Sequence, residues 1–180
     1  RKKWMKEDDW PDIVYQMQHR IGLNSGQMVT GNMGSEMRMN YTMMGDTVNL
    51  AARLEPAAKQ YGVYILVGEK VYMASNDEFA FRFLDFLSVK GKNIPVKTYE
   101  LIERKELIDK RSIELINTFE EGLDKYFNQK WDQAIKLFKK STNFEDDFPG
   151  RNTNPSKVFI DRCNYFKQNP PDLNWDGVWK

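Results

Sequence analysis

The chain has 180 residues, of which 41% are hydrophobic and 29% are charged, and its formal net charge at pH 7 is +1. This is the balance of a globular protein, and so small a charge gives no general attraction to nucleic acid or to an anionic membrane. One cysteine, Cys163, and one histidine, His19, argue against an internal disulfide framework, a zinc cluster and a histidine-assisted nucleophile. We expect His19 to be a surface residue.

The sequence has no apolar run of the length, about 18 residues, that a membrane-spanning helix requires. This segment is therefore not predicted to contact a membrane itself. The chain begins at Arg1 without an initiator methionine, which we interpret as the cut end of a longer protein.

The N-terminal part of the chain predicts short strands. Residues 1–18 are typical of the end of a charged helix followed by a loop. Residues 20–33 alternate loosely around three glycines, which predicts a strand or a strand pair with close backbone approach. A further strand is expected over 40–44, ended by Gly45.

A helix follows these strands. Asp46 is its predicted N-cap, because residues 47–54 then place apolar side chains at helical spacing. Pro56 is expected to bend or restart the helix, and Gly62 to close it. The apolar run 63–67 has the length of a strand.

The next elements complete a mixed α/β unit. Residues 69–74 predict a short helix, and 79–89 an alternating strand that a turn joins to a returning strand over 94–102. One face of the first of these strands carries Phe79, Phe81 and Phe83. The antiparallel pair forms one end of the predicted unit.

The composition changes after Arg104, which predicts one domain over 1–104 and a helical extension over 105–180. Residues 111–168 are expected to be wholly helical, with apolar stripes at helical spacing. Their pattern resembles a single tetratricopeptide unit, although a helical hairpin docked on its neighbour would show the same pattern. We expect Trp175 and Trp179, in the irregular end, to pack against the rest of the chain.

The segment from Asn40 to Arg53 indicates a binding site. Asn49 and Arg53 are four residues apart, so a helix places them on one face, one turn apart. An amide and a planar guanidinium presented together suit an anionic group such as a phosphate. The alternative is that Arg53 pairs on the surface with Glu55 or Asp46.

Five short segments resemble the catalytic domain of class III adenylate and guanylate cyclases, in the order and spacing of that family. The segments are Arg-Ile-Gly-Leu-Asn-Ser-Gly at 20–26, Gly-Asn-Met-Gly-Ser at 31–35, Tyr-Thr-x-x-Gly-Asp-x-Val-Asn-x-Ala-Ala-Arg at 41–53, Val-Lys-Gly-Lys at 89–92 and Tyr-Glu-Leu at 99–101. The resemblance implies the C-terminal part of a ferredoxin-like α/β cyclase sheet that lacks its N-terminal strands. The extension is similar to those of bacterial cyclases.

The resemblance also implies an activity. Cyclases of this family convert a nucleoside triphosphate into a 3′,5′-cyclic nucleotide and pyrophosphate, and positioning and charge stabilisation dominate that chemistry. By resemblance, Asn49 orients the ribose and Arg53 stabilises the charge that develops at the phosphorus. Lys90, with Lys92 as the alternative, contacts the triphosphate. Thr42 contacts the base, and a threonine there is typical of bacterial adenylate cyclases. Without the resemblance, Thr42 would be an ordinary strand residue and Lys90 a solvated turn residue.

The sequence departs from the family in one large respect. The strand and hairpin that carry the two metal-binding aspartates have no counterpart here, and Asp8 and Asp9 lie in a polar segment that does not match them. The resemblance therefore implies two divalent metal ions, Mg or Mn, held by residues outside this chain. It further implies ATP as substrate, a homodimer formed through the cyclase domain, and a place in the cytoplasmic part of a membrane-anchored receptor.

Three functions are compatible with these patterns. The first is part of an adenylate cyclase that is inactive without its upstream half. A guanylate cyclase is the second, and a non-catalytic interaction module is the third. The presence of Asn49, Arg53 and Lys90 together favours a catalytic function over a degenerate module.

Overall fold

A computed structural model describes residues 10–11, 13–14, 17–88, 95–147, 151–172 and 174–179. The strands are β1 (Ile21–Leu23), β2 (Val29–Ser35), β3 (Arg38–Met44), β4 (Ile65–Gly68), β5 (Phe79–Leu87) and β6 (Val96–Arg104). The helices are α1 (Asp46–Tyr61), α2 (Glu69–Ser75), α3 (Lys110–Phe127), α4 (Trp131–Thr142) and α5 (Pro155–Gln168). This order confirms the predicted α/β unit followed by a helical extension.

The main sheet has the strand order β1-β4-β6-β5. β1 and β4 are parallel, whereas β6 is antiparallel to both of its neighbours. Within the described residues nothing pairs with the outer edge of β1, and Ile21 and Leu23 remain 44% and 40% exposed. This open edge is what a cyclase sheet without its first strands is expected to leave. β2 and β3 form a separate antiparallel hairpin.

The predicted start of α1 was wrong by one residue, and the helix is not restarted at its predicted break. Gly45, with φ 141°, occupies the N-cap position, and Asp46 is the first helical residue. An acidic side chain is still favourable there, because it lies at the positive end of the helix dipole. The helix continues through Pro56, so the proline does not restart it, and a bend at Pro56 stays a prediction. The nearby Leu54 and Ala57 are buried and pack the helix against the core.

The predicted close of α1 at Gly62 is confirmed. Gly62 adopts a left-handed conformation with φ 65°, and its amide donates to the Lys59 carbonyl oxygen at 3.2 Å. A Cβ atom at this position would lie 2.1 Å from the Thr153 carbonyl oxygen, so glycine satisfies both the turn and the close approach of the extension.

The extension is not one continuous helical stretch, which corrects the prediction for 111–168. Residues 143–147 and 151–154 lie outside helices. Asn154 caps α5 by accepting a 2.9 Å hydrogen bond from the Lys157 amide, and Pro155 occupies the first turn, where its missing N–H costs nothing. The likeness to a tetratricopeptide unit stays a prediction.

The extension and the sheet share one core. Leu54 and Ala58 of α1 belong to the same buried cluster as Phe119, Phe138 and Phe159, which come from α3, α4 and α5. The predicted packing of the terminal tryptophans is also found, because Trp175 and Trp179 contact this cluster. The division at residue 104 stays a prediction, and the chain on both sides of it is packed into one structure.

A buried ionic cluster joins the sheet to the extension. The guanidinium of Arg82, on β5, has no exposed surface and donates to Glu100 of β6 at 2.5 Å and to Glu145, after α4, at 2.7 Å. Burial raises the pKa of Glu100. Burial also acts to raise the pKa of Glu145, but Arg82 and Arg151 outweigh it, so the pKa lies below its ordinary value.

Candidate functional site

α1 carries the predicted catalytic residues and packs against β1. A Cβ atom at Gly22 would lie 2.5 Å from the Ala51 carbonyl oxygen, so the helix backbone lies directly on the strand. Near the start of the helix, the Asn24 amide donates to the Thr47 carbonyl oxygen at 3.1 Å. These contacts explain the glycine and asparagine of the 20–26 segment and fix the N-terminal half of α1.

Asn49 and Arg53 lie on the exposed side of this anchored helix. They are one turn apart, a separation that places Cβ atoms about 5–6 Å from each other. Of the two surface partners considered for Arg53, Glu55 pairs with Arg20 at 3.0 Å. Asn49 and Arg53 are thus both exposed on the same helix, and their proposed roles stay predictions.

Thr42 lies on the hairpin that leads into α1, and its side chain is exposed. It pairs with Gly31 of β2, so the two residues share one face of the hairpin. A Cβ atom at Gly31 would meet no atom within 4 Å. Thr42 therefore borders open space in which a flat ring could approach its hydroxyl.

Lys90 and its alternative Lys92 lie outside the described residues, so the predicted phosphate contact has no structural account here. Within the described part of the chain, no three His, Cys, Asp or Glu side chains come together in a group that could hold a metal ion. The described residues therefore do not form a metal site, and we assign no metal-dependent step to them.

The sequence reasoning missed two features of the site region. The hairpin exposes a methionine-rich surface, with Met39 57%, Tyr41 74% and Met43 53% exposed on one of its faces. The C-terminal end of α1 contacts two arginines of the extension, Arg151 and Arg162. The clustering of methionines between 28 and 44 was a visible signal for the first feature.

The comparisons with known proteins show the family of this chain. A model of the adenylate and guanylate cyclase catalytic domain family matches residues 4–103, more than half of the chain. The chain belongs to this family. Members of the family generally use divalent metal ions.

Two curated relatives that the chain resembles are much longer than it is. It is 34% identical over 148 residues to the terminal-differentiation specific adenylate cyclase of Dictyostelium discoideum. This alignment covers 79% of this chain and 7% of the relative. The chain is 39% identical over 83 residues to adenylate cyclase 1 of Rhizobium meliloti, and that alignment covers 46% of this chain and 12% of the relative. The chain thus spans a small part of both relatives.

Among solved structures, the adenylyl cyclase CyaB from P. aeruginosa is 28% identical, with a TM-score of 0.45, over 60% of this chain and 52% of that one. Other solved cyclase domains with sequence similarity include a dimer and complexes with GTP and an ATP analogue. None of the helices in the described ranges is long and apolar enough to cross a membrane.

Proposed function

We propose that this chain is part of an adenylate cyclase that converts ATP into 3′,5′-cyclic AMP and pyrophosphate in signal transduction. The observation that carries the proposal is the pair Asn49 and Arg53, exposed one turn apart on an anchored helix, within the segment that matches the cyclase family. The adenylate cyclases among the relatives support ATP rather than GTP as substrate.

In this proposal the two side chains act on different parts of ATP. The guanidinium of Arg53 donates to the phosphate oxygens whose negative charge increases as the ribose 3′-oxygen attacks the α-phosphorus and pyrophosphate departs. The amide of Asn49 orients the ribose so that attack is in line. Lys90 contacts the triphosphate. The anchoring of α1 on β1 supports these roles, because a preorganised donor loses little energy to reorganisation during the reaction.

The remaining parts of the proposal concern what lies outside this chain. Two divalent metal ions, Mg or Mn, are held by aspartates that this chain does not supply, and the chain alone is inactive. The full-length protein is a homodimer with its cyclase domain in the cytoplasm, anchored to the membrane by other segments. A guanylate cyclase is the alternative, and a comparison of the cyclic products formed from ATP and GTP distinguishes the two.

Base selectivity tests the adenylate assignment through Thr42. Adenine presents an amine donor and guanine a carbonyl acceptor at the same ring position, and a hydroxyl serves either group. Thr42 therefore cannot distinguish ATP from GTP alone. We expect the preference for ATP to be smaller than the ~10⁴-fold rejection of a wrong base that a fully matched polar site achieves. The full-length protein should prefer ATP, and Thr42→Ala should lower cyclic AMP formation without creating strong activity on GTP.

The measurement is cyclic product from each triphosphate at equal concentration. Equal turnover of GTP and ATP by the wild-type protein would replace the adenylate assignment with a cyclase of broader specificity.

Self-association through the β2–β3 hairpin tests the proposed homodimer. The exposed apolar face of Met39, Tyr41 and Met43 is the kind of surface that a two-fold dimer buries against its own copy. We expect this chain to self-associate. Met39→Lys with Met43→Lys should weaken the association by at least about tenfold, because like charges then meet across the axis.

Sedimentation over a range of concentrations measures this association. Met73→Lys on α2 is the matched control, because Met73 is 68% exposed and lies outside the hairpin. A monodisperse wild-type monomer, or variants that associate as strongly as the wild type, would refute the assignment of the hairpin as the dimer surface.

A further inference from the structure

The extension holds the C-terminal end of α1 through a buried cluster of three polar side chains. Tyr61, the last residue of α1, donates its hydroxyl to the Asp85 carboxylate of β5 at 2.6 Å. Arg162 of α5 donates to the same carboxylate at 2.5 Å and to the Tyr61 hydroxyl at 3.3 Å. Tyr61 and Asp85 are 1% exposed and Arg162 is 7% exposed, so water hardly competes for these bonds.

The surroundings of this cluster fix its geometry. The guanidinium of Arg162 lies 4.8 Å from the centre of the Phe159 ring and 5.2 Å from the centre of the Trp179 ring, close enough for cation–π attraction. Burial, with the neighbouring Asp85 charge, raises the pKa of Tyr61, so the hydroxyl keeps the proton that it donates. A second arginine of the extension, Arg151, donates to the Gly62 carbonyl oxygen at 2.8 Å.

These contacts act on the same helix that presents Asn49 and Arg53. β1 holds the N-terminal half of α1, and the extension holds its last turn, about 12 Å along the axis from Arg53. The alignment with the Dictyostelium adenylate cyclase extends over 148 residues, or 79% of this chain. Because only 104 residues precede the extension, part of the extension has a counterpart in that protein. We propose that Tyr61 and Arg162 are positioning residues, through which the extension sets the placement of Asn49 and Arg53 in the active site.

This inference rests on the proposed function, because it assigns a task to residues through the catalytic helix. Its physical basis is that α1 is a rigid helix attached at two places, to β1 and to the extension. Release of its last turn would let the helix pivot on β1 and displace the exposed side chains of Asn49 and Arg53. A misplacement of about 1 Å at a reacting group can cost about a hundredfold in rate. The extension would thereby offer a site at which a signal or a partner could change the rate of cyclisation without contacting ATP.

Tyr61→Phe in the full-length protein is the test variant. It removes the hydroxyl but keeps the ring and the Arg162–Asp85 ion pair, so the protein is expected to fold, whereas Arg162→Ala would leave Asp85 buried without its cation. We expect kcat for cyclic AMP formation to fall about ten- to a hundredfold with KM unchanged. Tyr165→Phe, which removes a hydroxyl from the exposed side of α5, should change neither value.

A double-mutant cycle with Arg53→Ala separates positioning from general destabilisation. If the extension acts through Arg53, the kcat loss caused by Tyr61→Phe should largely disappear in the Arg53→Ala background. An equal loss in both backgrounds, or no loss in the wild-type background, would overturn the inference. If Arg53→Ala alone left both kcat and KM unchanged, the proposed function would fail instead.

Amide hydrogen exchange provides a readout that does not depend on activity. In this chain, Tyr61→Phe should speed exchange at the amides of 49–61, whereas the amides of β6 should keep their protection. Unchanged exchange along α1 would show that the cluster does not hold the helix, and would overturn the inference even if the enzyme lost activity.

Discussion

Replacement of Arg53 by alanine is expected to lower kcat for cyclic AMP formation by the full-length protein about 10²- to 10³-fold. The guanidinium is proposed to act on charge that increases only as the phosphorus is attacked. Its loss should therefore appear in kcat, with KM for ATP nearly unchanged. Initial rates over a range of ATP concentrations measure both constants.

Lys59→Ala is the matched control for this experiment, because Lys59 is an exposed cation on the same helix, near its C-terminal end. It should leave both constants near their wild-type values. A rise in KM without a change in kcat for Arg53→Ala would show instead that Arg53 binds the ground state of ATP.

Removal of the buried Arg82 guanidinium is expected to have the largest effect on stability. Arg82→Met keeps much of the side-chain volume but leaves Glu100 and Glu145 without their shared cation. A buried ion pair broken on one side typically costs about 3–5 kcal/mol in the free energy of unfolding. Urea denaturation of this chain at neutral pH measures that loss.

The exposed pair between Arg20 and Glu55 supplies the control for Arg82. Its two side chains are 40% and 45% exposed, and such pairs contribute about 0–1 kcal/mol to the free energy of unfolding. Arg20→Met should therefore change stability little. If Arg82→Met cost no more than Arg20→Met, the ionic cluster would not be what joins the extension to the sheet.

The local rules of helix and strand formation predicted most elements of this fold. Apolar residues at helical spacing identified α1, and Gly62 identified its end, because only glycine readily adopts the left-handed conformation found there. The same spacing placed Asn49 and Arg53 on one face. The break before α5 was missed, although Asn154 followed by Pro155 is a typical helix start.

The buried charges could not be predicted in the same way. An alternating strand with Phe79 and Phe81 on one face predicts that Arg82 faces solvent, and that is where a lone arginine belongs. The extension covers this second face and supplies the carboxylate of Glu145 from 63 residues along the chain. A contact over that separation depends on how the helices pack, and no local pattern encodes it.

In the proposed function, this chain contributes Asn49 and Arg53 to a site that cyclises ATP. Its most direct test is to measure cyclic AMP and pyrophosphate in the same samples of the full-length protein and its Arg53→Ala variant, supplied with ATP. We expect equal amounts of the two products from the wild type and a loss of both in the variant. Release of inorganic phosphate without cyclic AMP, or cyclic AMP formed at the wild-type rate by the variant, would contradict it.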